Sequence, residues 1–474
     1  MRKRNIIYIA FLLLIVSGCK TLDTNLSISK KDVPTSFQNQ NDSNNIANIN
    51  WRKYFADTIL VKLIDTALVN NIDLQIALQR IEIARSGIKF ANGQLLPMVG
   101  INGSVGVDKY AKYTPDYAGN TTTEYEPGKI VPNPLQDYYL GLQASWEIDI
   151  WGKLRNQRKS AIAQYLSSIE GRNFVISNLV ADVAISYYEL LGLDNELEIV
   201  RQTIQGQEDA LDVVKLQMET GKTTEIAVQQ FKAALINSQA LEKETLRQII
   251  ELENRINFLL GRFPQPIQRT KEVLFNEITQ QFTAGIPSQL LRNRPDIREA
   301  EFQVQASKFD LKSAKAAFFP NLNITAGYGF QAFNPQFLFM TPTSLAYSAL
   351  GNLVAPLINR NALKAQFNTA KANQLTAMYY YQETILNGYA EVVNGLSNIK
   401  YFQEINALKK EQSSVLMLSV ESSKELYKTG RATYLEVLLA QQNSLETQLE
   451  LIDASKNKLI ATVNLYKALG GGWR

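Results

Sequence analysis

The alternation of apolar and polar residues changes period at Pro320, and the same change recurs at Pro97. Residues 296–319 contain no Gly or Pro, and their pattern predicts a helix. After Pro320, apolar side chains alternate with small or polar ones, which predicts a strand with one apolar face. Proline ends the helical pattern because it has no N–H to donate and disfavours helical geometry at the preceding residue. Pro97 and Pro320 therefore mark two predicted helix-to-strand transitions.

The body of the chain consists of two halves, 51–265 and 266–474, with the same predicted order of elements: helix, strand, loop, strand, very long helix, turn and helix. In the first half the strands are predicted at about 98–108 and 138–148, and the long helices at 154–219 and 224–260. In the second half a helix is predicted at 296–319, strands at about 320–332 and 344–355, and long helices at 363–428 and 433–469. The predicted fold class is mixed α+β.

An internal duplication accounts for this repeated order. Equivalent residues are separated by 223 positions before the hairpin loop and by 209 positions after it. Examples are Asp73 and Asp296, Pro97 and Pro320, Gly221 and Gly430, and Gly261 and Gly470. The separation changes within the hairpin loops, where insertions are tolerated.

The four predicted strands suit a membrane barrel that one chain cannot close. Each strand has roughly the ten residues that cross a bilayer when tilted. Strands in lipid must close into a barrel, and the smallest such barrels have about eight strands. Several copies would therefore share one barrel; the alternative is a soluble antiparallel sheet. The helix at 154–219 would be roughly 100 Å long, and its apolar residues follow the heptad spacing of helices that coil on neighbours.

The composition argues against an enzyme. The chain has no His and one Cys, which excludes the commonest general base and the His-containing nucleophile pairs. We find no Gly-rich phosphate loop and no clustered carboxylates, and we expect no catalytic residue, no cofactor and no metal. The formal net charge of +4 comes without a long basic run, so nucleic acid is not an expected partner.

The N-terminus has the pattern of a lipoprotein signal peptide. Basic residues at 2–4 precede an apolar run at 6–16, which is shorter than the roughly 20 residues of a membrane-spanning helix. Val16-Ser17-Gly18-Cys19 resembles a bacterial lipobox, so we expect residues 1–18 to be removed and Cys19 to be lipidated. The alternative is an ordinary secretory signal in which the position of Cys19 is accidental.

The residues after the lipobox predict a tether and a location. Residues 19–50 are polar and are rich in Asn from 38 to 50, which predicts a flexible tether between lipid and body. Lys20 stands where an Asp tends to retain lipoproteins in the inner membrane. The sorting pattern therefore favours the outer membrane.

The stretch Leu290–Ile297, LLRNRPDI, followed by Phe319-Pro320, resembles a motif of the outer membrane efflux factor family, the TolC-like proteins. The closer similarity is to the lipoprotein branch represented by OprM and NodT. The lipobox, the duplication and the turn at Tyr427–Gly430 agree with this resemblance, which covers nearly all of the mature chain. It implies a homotrimer with a twelve-stranded barrel in the outer membrane of a Gram-negative bacterium and a periplasmic α-helical barrel. It also implies a passive exit duct that docks with a periplasmic adaptor (membrane fusion protein) and an inner-membrane efflux pump of the RND type.

On this resemblance the two helix–helix turns become periplasmic tips that contact the adaptor and close the aperture. The expected tip residues are Thr220, Gly221, Lys222, Thr223, Thr429, Gly430, Arg431 and Glu436. Charges at a constriction gate by ion pairing and select among ions; the alternative is that they are solvated surface charges. Glu436 fills a place where the family often carries an acid, whereas Ala227, its counterpart in the first half, and Leu439 do not. A strongly acidic aperture is therefore not expected.

Two more sets of residues are singled out by the pattern. We interpret the family motif Arg294, Pro295 and Asp296 as a helix start, because Pro suits the first turn and Asp the positive N-terminal end. The polar strand face is expected to line the pore, with Pro97 and Pro320 near the water–lipid boundary. The pore-lining candidates are Asn102, Ser104, Gln143, Asn321, Asn323 and Thr325. Trp146 and Trp151 suit either an interfacial aromatic belt or core packing.

Two functions compete with that of a duct for small molecules and drugs. The first is an outer membrane duct for type I protein secretion, against which the lipobox argues by resemblance. The second is a lipid-anchored structural coiled-coil or adaptor protein whose sheet is soluble. The four alternating strands and the duplication argue against this second alternative.

Overall fold

The computed structural model describes residues 23–29, 31–32, 34–37, 45–275, 284–358 and 360–474. The signal peptide and Cys19 lie outside these residues, so their processing and lipidation stay predictions. The chain divides into two compact units. We call residues 23–29, 82–166 and 302–379 the sheet unit. Residues 30–81, 167–301 and 380–474 form the helical unit.

The two halves share the order of their main helices and strands, whereas α4, β2 and β3 of the first half have no counterpart between β5 and β6. The first half contains α1 (Trp51–Tyr54), α2 (Thr58–Asn70), α3 (Ile72–Gly93), β1 (Met98–Asp108), α4 (Pro115–Thr122), β2 (Glu124–Glu126), β3 (Lys129–Ile130), β4 (Leu135–Ile148), α5 (Lys153–Glu219) and α6 (Glu225–Leu259). The second half contains α7 (Leu290–Asn293), α8 (Pro295–Ala316), β5 (Asn321–Ala332), β6 (Leu345–Val354), α9 (Asn361–Lys428) and α10 (Tyr434–Ala468).

The sheet unit is built on one antiparallel sheet with the strand order β1-β4-β5-β6. Each half contributes one hairpin, and β4 joins β5 from Tyr138↔Ala332 to Ile148↔Leu322. Directly paired residues point to the same face of a sheet. Strand alternation thus places most of the apolar residues on one face and most of the small or polar residues on the other. Leu350 and Val354 of β6 are among the exceptions, because they pair with Thr325 and Asn321 on the polar face.

The helical unit has an apolar core, and residues in the first part of this unit, before and within α2, contribute to it. Leu60 and Ile64 of α2 are fully buried with Leu190 and Leu191 of α5, and full burial of one such side chain stabilises the fold by about 1.5–3 kcal/mol. The rings of Tyr54 and Tyr466 stack with their centroids 4.1 Å apart. The segment that precedes α2 is therefore packed against α10.

Among the helices of the described residues, one, α5, contains a stretch that is long and apolar enough to cross a membrane by length and composition. Of that stretch, 61% is buried inside the described structure. Such burial is typical of a core helix, so we assign α5 to the helical core.

Three expectations from the sequence require correction. The helix expected to reach Phe319 ends at Ala316, and the chain continues as a turn in which Phe319 N–H donates to the Ala316 carbonyl. The loop expected over 109–136 contains α4 and the β2–β3 hairpin. The sequence predicts a flexible tether over 19–50, but Phe37 and Ile46 within this range are buried, so these residues are not part of a free tether. Apolar burial fixes these residues despite their Asn-rich surroundings.

Candidate functional site

The six pore-lining candidates lie on one face of the sheet. The register pairs Gln143 with Gly100 and Gly327, and Thr325 with Ser145, which places both candidates on the small and polar face. Asn102, Ser104, Asn321 and Asn323 share this face by strand alternation. Asn102 Nδ2 donates a hydrogen bond of 3.1 Å to Gln143 Oε1. The structure thus brings the candidates together on one surface, and their pore-lining role stays a prediction.

A close approach of two glycines shapes this polar face. Gly141 and Gly329 pair directly across β4 and β5, and a Cβ added to Gly329 would lie 2.5 Å from Gly141 Cα. The Tyr139 hydroxyl lies 2.7 Å from the Cβ position of Gly141 and 3.4 Å from that of Gly327. The ring of Tyr139 therefore covers a patch without side chains. These residues are not among the candidates predicted from the sequence, although an aromatic residue two positions from a glycine on the small face is a signal for such an arrangement.

The opposite face of the sheet is apolar and uncovered in a single chain. Ile101 on β1 is 80% exposed and Tyr347 on β6 is 81% exposed. Within the described sheet, β1 pairs with β4 alone and β6 with β5 alone. Two long strands thus present free hydrogen-bonding edges, which soluble sheets normally cover or protect with charge.

A tryptophan fixes each helix-to-strand transition. Trp146 Nε1 donates a hydrogen bond of 3.0 Å to the carbonyl of Leu95, two residues before Pro97. Trp151 Nε1 donates one of 2.7 Å to the carbonyl of Pro320, and its ring stacks on Phe319 at 4.9 Å. The indole N–H of each tryptophan is thus hydrogen-bonded, while part of each ring stays exposed. Trp146 and Trp151 therefore hold Pro97 and Pro320 beside the end of β4.

The two helix–helix turns have the same backbone geometry. At the first turn Gly221 has φ +72°, Gly221 N–H donates to the Met218 carbonyl and Lys222 N–H to that of Gln217. At the second turn Gly430 and Arg431 make the equivalent bonds to Tyr427 and Leu426. This pattern of paired bonds is a Schellman motif, which needs the left-handed conformation that glycine adopts without strain.

The helices that follow the two turns start differently. Thr433 and Glu436 form a reciprocal capping box at the start of α10, and Glu436 Oε2 accepts from Thr433 N–H at 2.6 Å. These hydrogen bonds lower the pKa of Glu436 below its ordinary value of 4.5. Thr224 at the start of α6 makes no such side-chain bond, and the position equivalent to Glu436 is the buried Ala227. The Glu436 carboxylate therefore has a local structural role as well as its predicted aperture role.

A side-chain contact links the two turns. The Tyr427 hydroxyl donates a hydrogen bond to Gln217 Oε1. Both residues lie in the last turn of their helices, and burial raises the pKa of the Tyr427 phenol. Lys222 and Arg431 are exposed beside them, as are Thr220 and Thr429, while Thr223 is half-buried. The charged tip residues thus surround a contact that periodicity alone did not indicate.

The family motif is a buried clamp. The Arg294 guanidinium is 5% exposed and pairs in bidentate fashion with the Asp296 carboxylate, at 3.1 and 2.6 Å. Arg294 Nη1 also donates to Glu391 Oε2 at 2.6 Å and to the Ala468 carbonyl at 2.9 Å. Burial alone would lower the pKa of Arg294, but the bonds to Asp296 and Glu391 raise it. Pro295 opens α8 as its first residue. The motif therefore joins α8, α9 and α10.

Among the described residues, no group of three or more His, Cys, Asp or Glu side chains is arranged to hold a metal ion.

Comparison with known proteins agrees with this geometry. A family described as "Outer membrane efflux protein" matches residues 63–262 and 286–471. The probable outer membrane lipoprotein SilC of Salmonella typhimurium is 27% identical over 466 residues, which cover 97% of each chain. The cation efflux system protein CusC of Escherichia coli O6:H1 is 26% identical over 434 residues, or 92% of this chain and 90% of CusC.

A solved structure has the same fold. A membrane protein from Pseudomonas aeruginosa superposes with a TM-score of 0.84 at 25% identity and covers 95% of this chain and 97% of its own. The matched segments fall in both halves of the duplication and together span most of the sequence. The chain therefore belongs to the outer membrane efflux protein family.

Proposed function

We propose that this protein is the outer membrane exit duct of a tripartite efflux system and passes small molecules and drugs passively to the exterior. One observation carries the proposal: a four-stranded sheet with one apolar face and two unpaired edge strands, on a chain of an outer membrane efflux family. In lipid, the apolar face needs no further cover, and the polar face encloses the water-filled path.

Closure of the barrel requires further copies of the chain. Backbone groups in lipid must all be hydrogen-bonded, so β1 and β6 need partners. Three copies, with β6 of one beside β1 of the next, supply twelve strands in a closed ring. Exposed apolar residues on α3 and α9, such as Ile83 and Leu408, provide surfaces through which neighbouring copies would pack. We therefore propose a homotrimer.

The partners are a periplasmic adaptor and an inner-membrane pump of the RND type, with the two helix–helix turns as the docking end. The duct itself carries no energy source in this scheme, and the pump selects the cargo. CusC is named for cation efflux; for this chain we propose the broader class of small molecules. The role of the tip charges is to control ion passage at the constriction.

Conductance and mass test the proposal together. The purified mature protein is expected to run as a trimer and to produce stepwise conductance in planar lipid bilayers. A monomeric protein that leaves bilayers silent would contradict the duct and favour the structural coiled-coil alternative. Deletion of the gene in its host, with a rise in sensitivity to small toxic compounds and unchanged protein secretion, distinguishes efflux from type I secretion.

A further inference from the structure

The second hairpin and the adjoining ends of α8 and α9 carry positive charge that is not balanced within the same stretch, which begins after Asp310 and ends before Glu383. Residues 311–382 contain no Asp or Glu, yet they contain five cations: Lys312, Lys315, Arg360, Lys364 and Lys371. A surface with one sign of charge and no local counter-charge attracts ligands of the opposite sign.

The first hairpin is balanced at the equivalent place. Arg155 Nε lies 3.0 Å from Asp149 Oδ2, and Lys153 Nζ lies 2.5 Å from Glu147 Oε1. At the separation of 209 positions, Lys364 is the counterpart of Arg155, but Ile358 stands where Asp149 does. The second half has kept the cation and lacks its acidic partner.

Four of these cations lie where α8 and α9 meet the sheet, and we call Lys312, Lys315, Arg360 and Lys364 the basal cluster. The two helix ends pack together through Leu311 and Ala314 of α8 and Phe367 of α9. Phe318, three residues before β5, contacts both sides: its ring lies 6.1 Å from that of Phe367 and 4.8 Å from the Arg360 guanidinium. The basal cluster thus flanks one apolar contact at the base of β5 and β6.

The charges of the basal cluster have no carboxylate partner in the described part of the chain. The ion pairs among the described residues, such as those of Lys153 and Arg155, involve none of the four side chains of the basal cluster. Arg360 Nε is buried without a hydrogen-bond acceptor. The ring of Phe318 holds the guanidinium in place but offers it no acceptor oxygen. A buried donor without an acceptor is costly, and a phosphate oxygen is an acceptor that matches guanidinium geometry.

We propose that the basal cluster binds the headgroup phosphate of an anionic phospholipid in the periplasmic leaflet of the outer membrane. The proposal rests on the proposed function, which places β5 and β6 in lipid. Leu357 and Ile358, between β6 and Arg360, are 78% and 90% exposed. They give acyl chains an apolar contact beside the cations, and cations at a membrane surface attract anionic lipid.

Native mass spectrometry of the purified full-length protein tests the proposal with phosphatidylglycerol and phosphatidylethanolamine as probes. The natural chain is expected to retain phosphatidylglycerol about tenfold more strongly, and the variant K312Q/K315Q/R360Q/K364Q is expected to lose this preference. The control variant K53Q/K62Q/K232Q/K410Q removes four exposed lysines of the helical unit and is expected to keep it. If the fourfold variant does not assemble, K312Q/K315Q and R360Q/K364Q are measured separately, and each is expected to lose part of the preference.

Two results overturn the lipid site. One is an unchanged preference for phosphatidylglycerol in the assembled variants. The other is complete displacement of the lipid by inorganic phosphate at an equal concentration, which identifies a site for free phosphate. Conductance of the same preparations separates this inference from the proposed function. A conducting channel without lipid preference contradicts the lipid site alone, whereas a silent protein contradicts the duct.

Discussion

Arg294 Nη1 donates a hydrogen bond of 2.9 Å to the carbonyl of Ala468, and Asn71 Nδ2 donates one of 2.9 Å to the carbonyl of Leu259. Asn71 and Arg294 are 223 positions apart, and Leu259 and Ala468 are 209 apart, which are the two separations of the duplication. Both halves therefore use the same contact between the start of one helix and the end of another. In the second half, Arg294 adds ion pairs with Asp296 and Glu391 to this contact and so forms the charged clamp.

Replacement of the clamp arginine is expected to destabilise the fold. R294A removes the cation that pairs with Asp296 at the buried start of α8, at a cost of about 3 kcal/mol. R294K keeps the charge but loses the bidentate geometry and is expected to be intermediate. Thermal unfolding followed by circular dichroism measures both. R292A, at an exposed neighbour, serves as the control, and an equal loss in R292A and R294A would refute the role of the clamp.

The glycine pair of the sheet is expected to tolerate no side chain. G329A places a Cβ 2.5 Å from Gly141 Cα, so the backbone of β4 or β5 must shift, at a cost of about 1–3 kcal/mol. G351A on β6 meets nothing within 4 Å and is expected to behave as the natural chain. The temperature at which the assembled protein dissociates on a gel measures the difference. Equal temperatures for the two variants would show that the close approach is unimportant.

Charge on the two faces of the sheet is expected to have opposite consequences. I101K on the apolar face puts an ammonium group in lipid, which costs about 2–4 kcal/mol near the middle of a membrane strand and hinders insertion. N102K, one residue further along on the polar face, is expected to insert normally and to shift the ion selectivity of the channel towards anions. Membrane fractionation and bilayer conductance measure the two effects. Normal insertion of I101K combined with failure of N102K would reverse the assignment of the faces.

The capping box makes the start of α10 dependent on pH. The pKa of Glu436 is lowered in the folded protein, so the ionised carboxylate stabilises this helix start above pH 4.5, and the stabilisation is lost as the pH falls through the lowered pKa. The protection of the amides of Tyr434–Val437 against hydrogen exchange, relative to an unstructured peptide at the same pH, is expected to fall in that range. E436A is expected to show faster exchange of these amides than the natural chain at neutral pH. The amides of Glu225–Val228 are the internal control, because Thr224 makes no side-chain cap.

Much of the architecture could be predicted from hydrophobic periodicity and from the residues at turns. The alternation after Pro97 and Pro320 indicated which strand residues share a face, and Gly221 and Gly430 indicated the turns, because these signals are local. The bonds of Trp151 to Pro320 and of Arg294 to Ala468 join residues 169 and 174 positions apart. Spacing along the chain carries no information about such partners. The early end of α8 at Ala316 depended on a turn whose bonds compete with those of the helix.

The single capping box has a consequence for symmetry. Six helix–helix turns in a trimer share one backbone motif, and a ring of identical turns would have sixfold order. In the proposed homotrimer, Thr433 and Glu436 would stiffen every second turn, so the mechanical symmetry of the ring would be threefold, with stiffer and softer turns in alternation. Such a ring is expected to deform into a triangle before it widens into a circle.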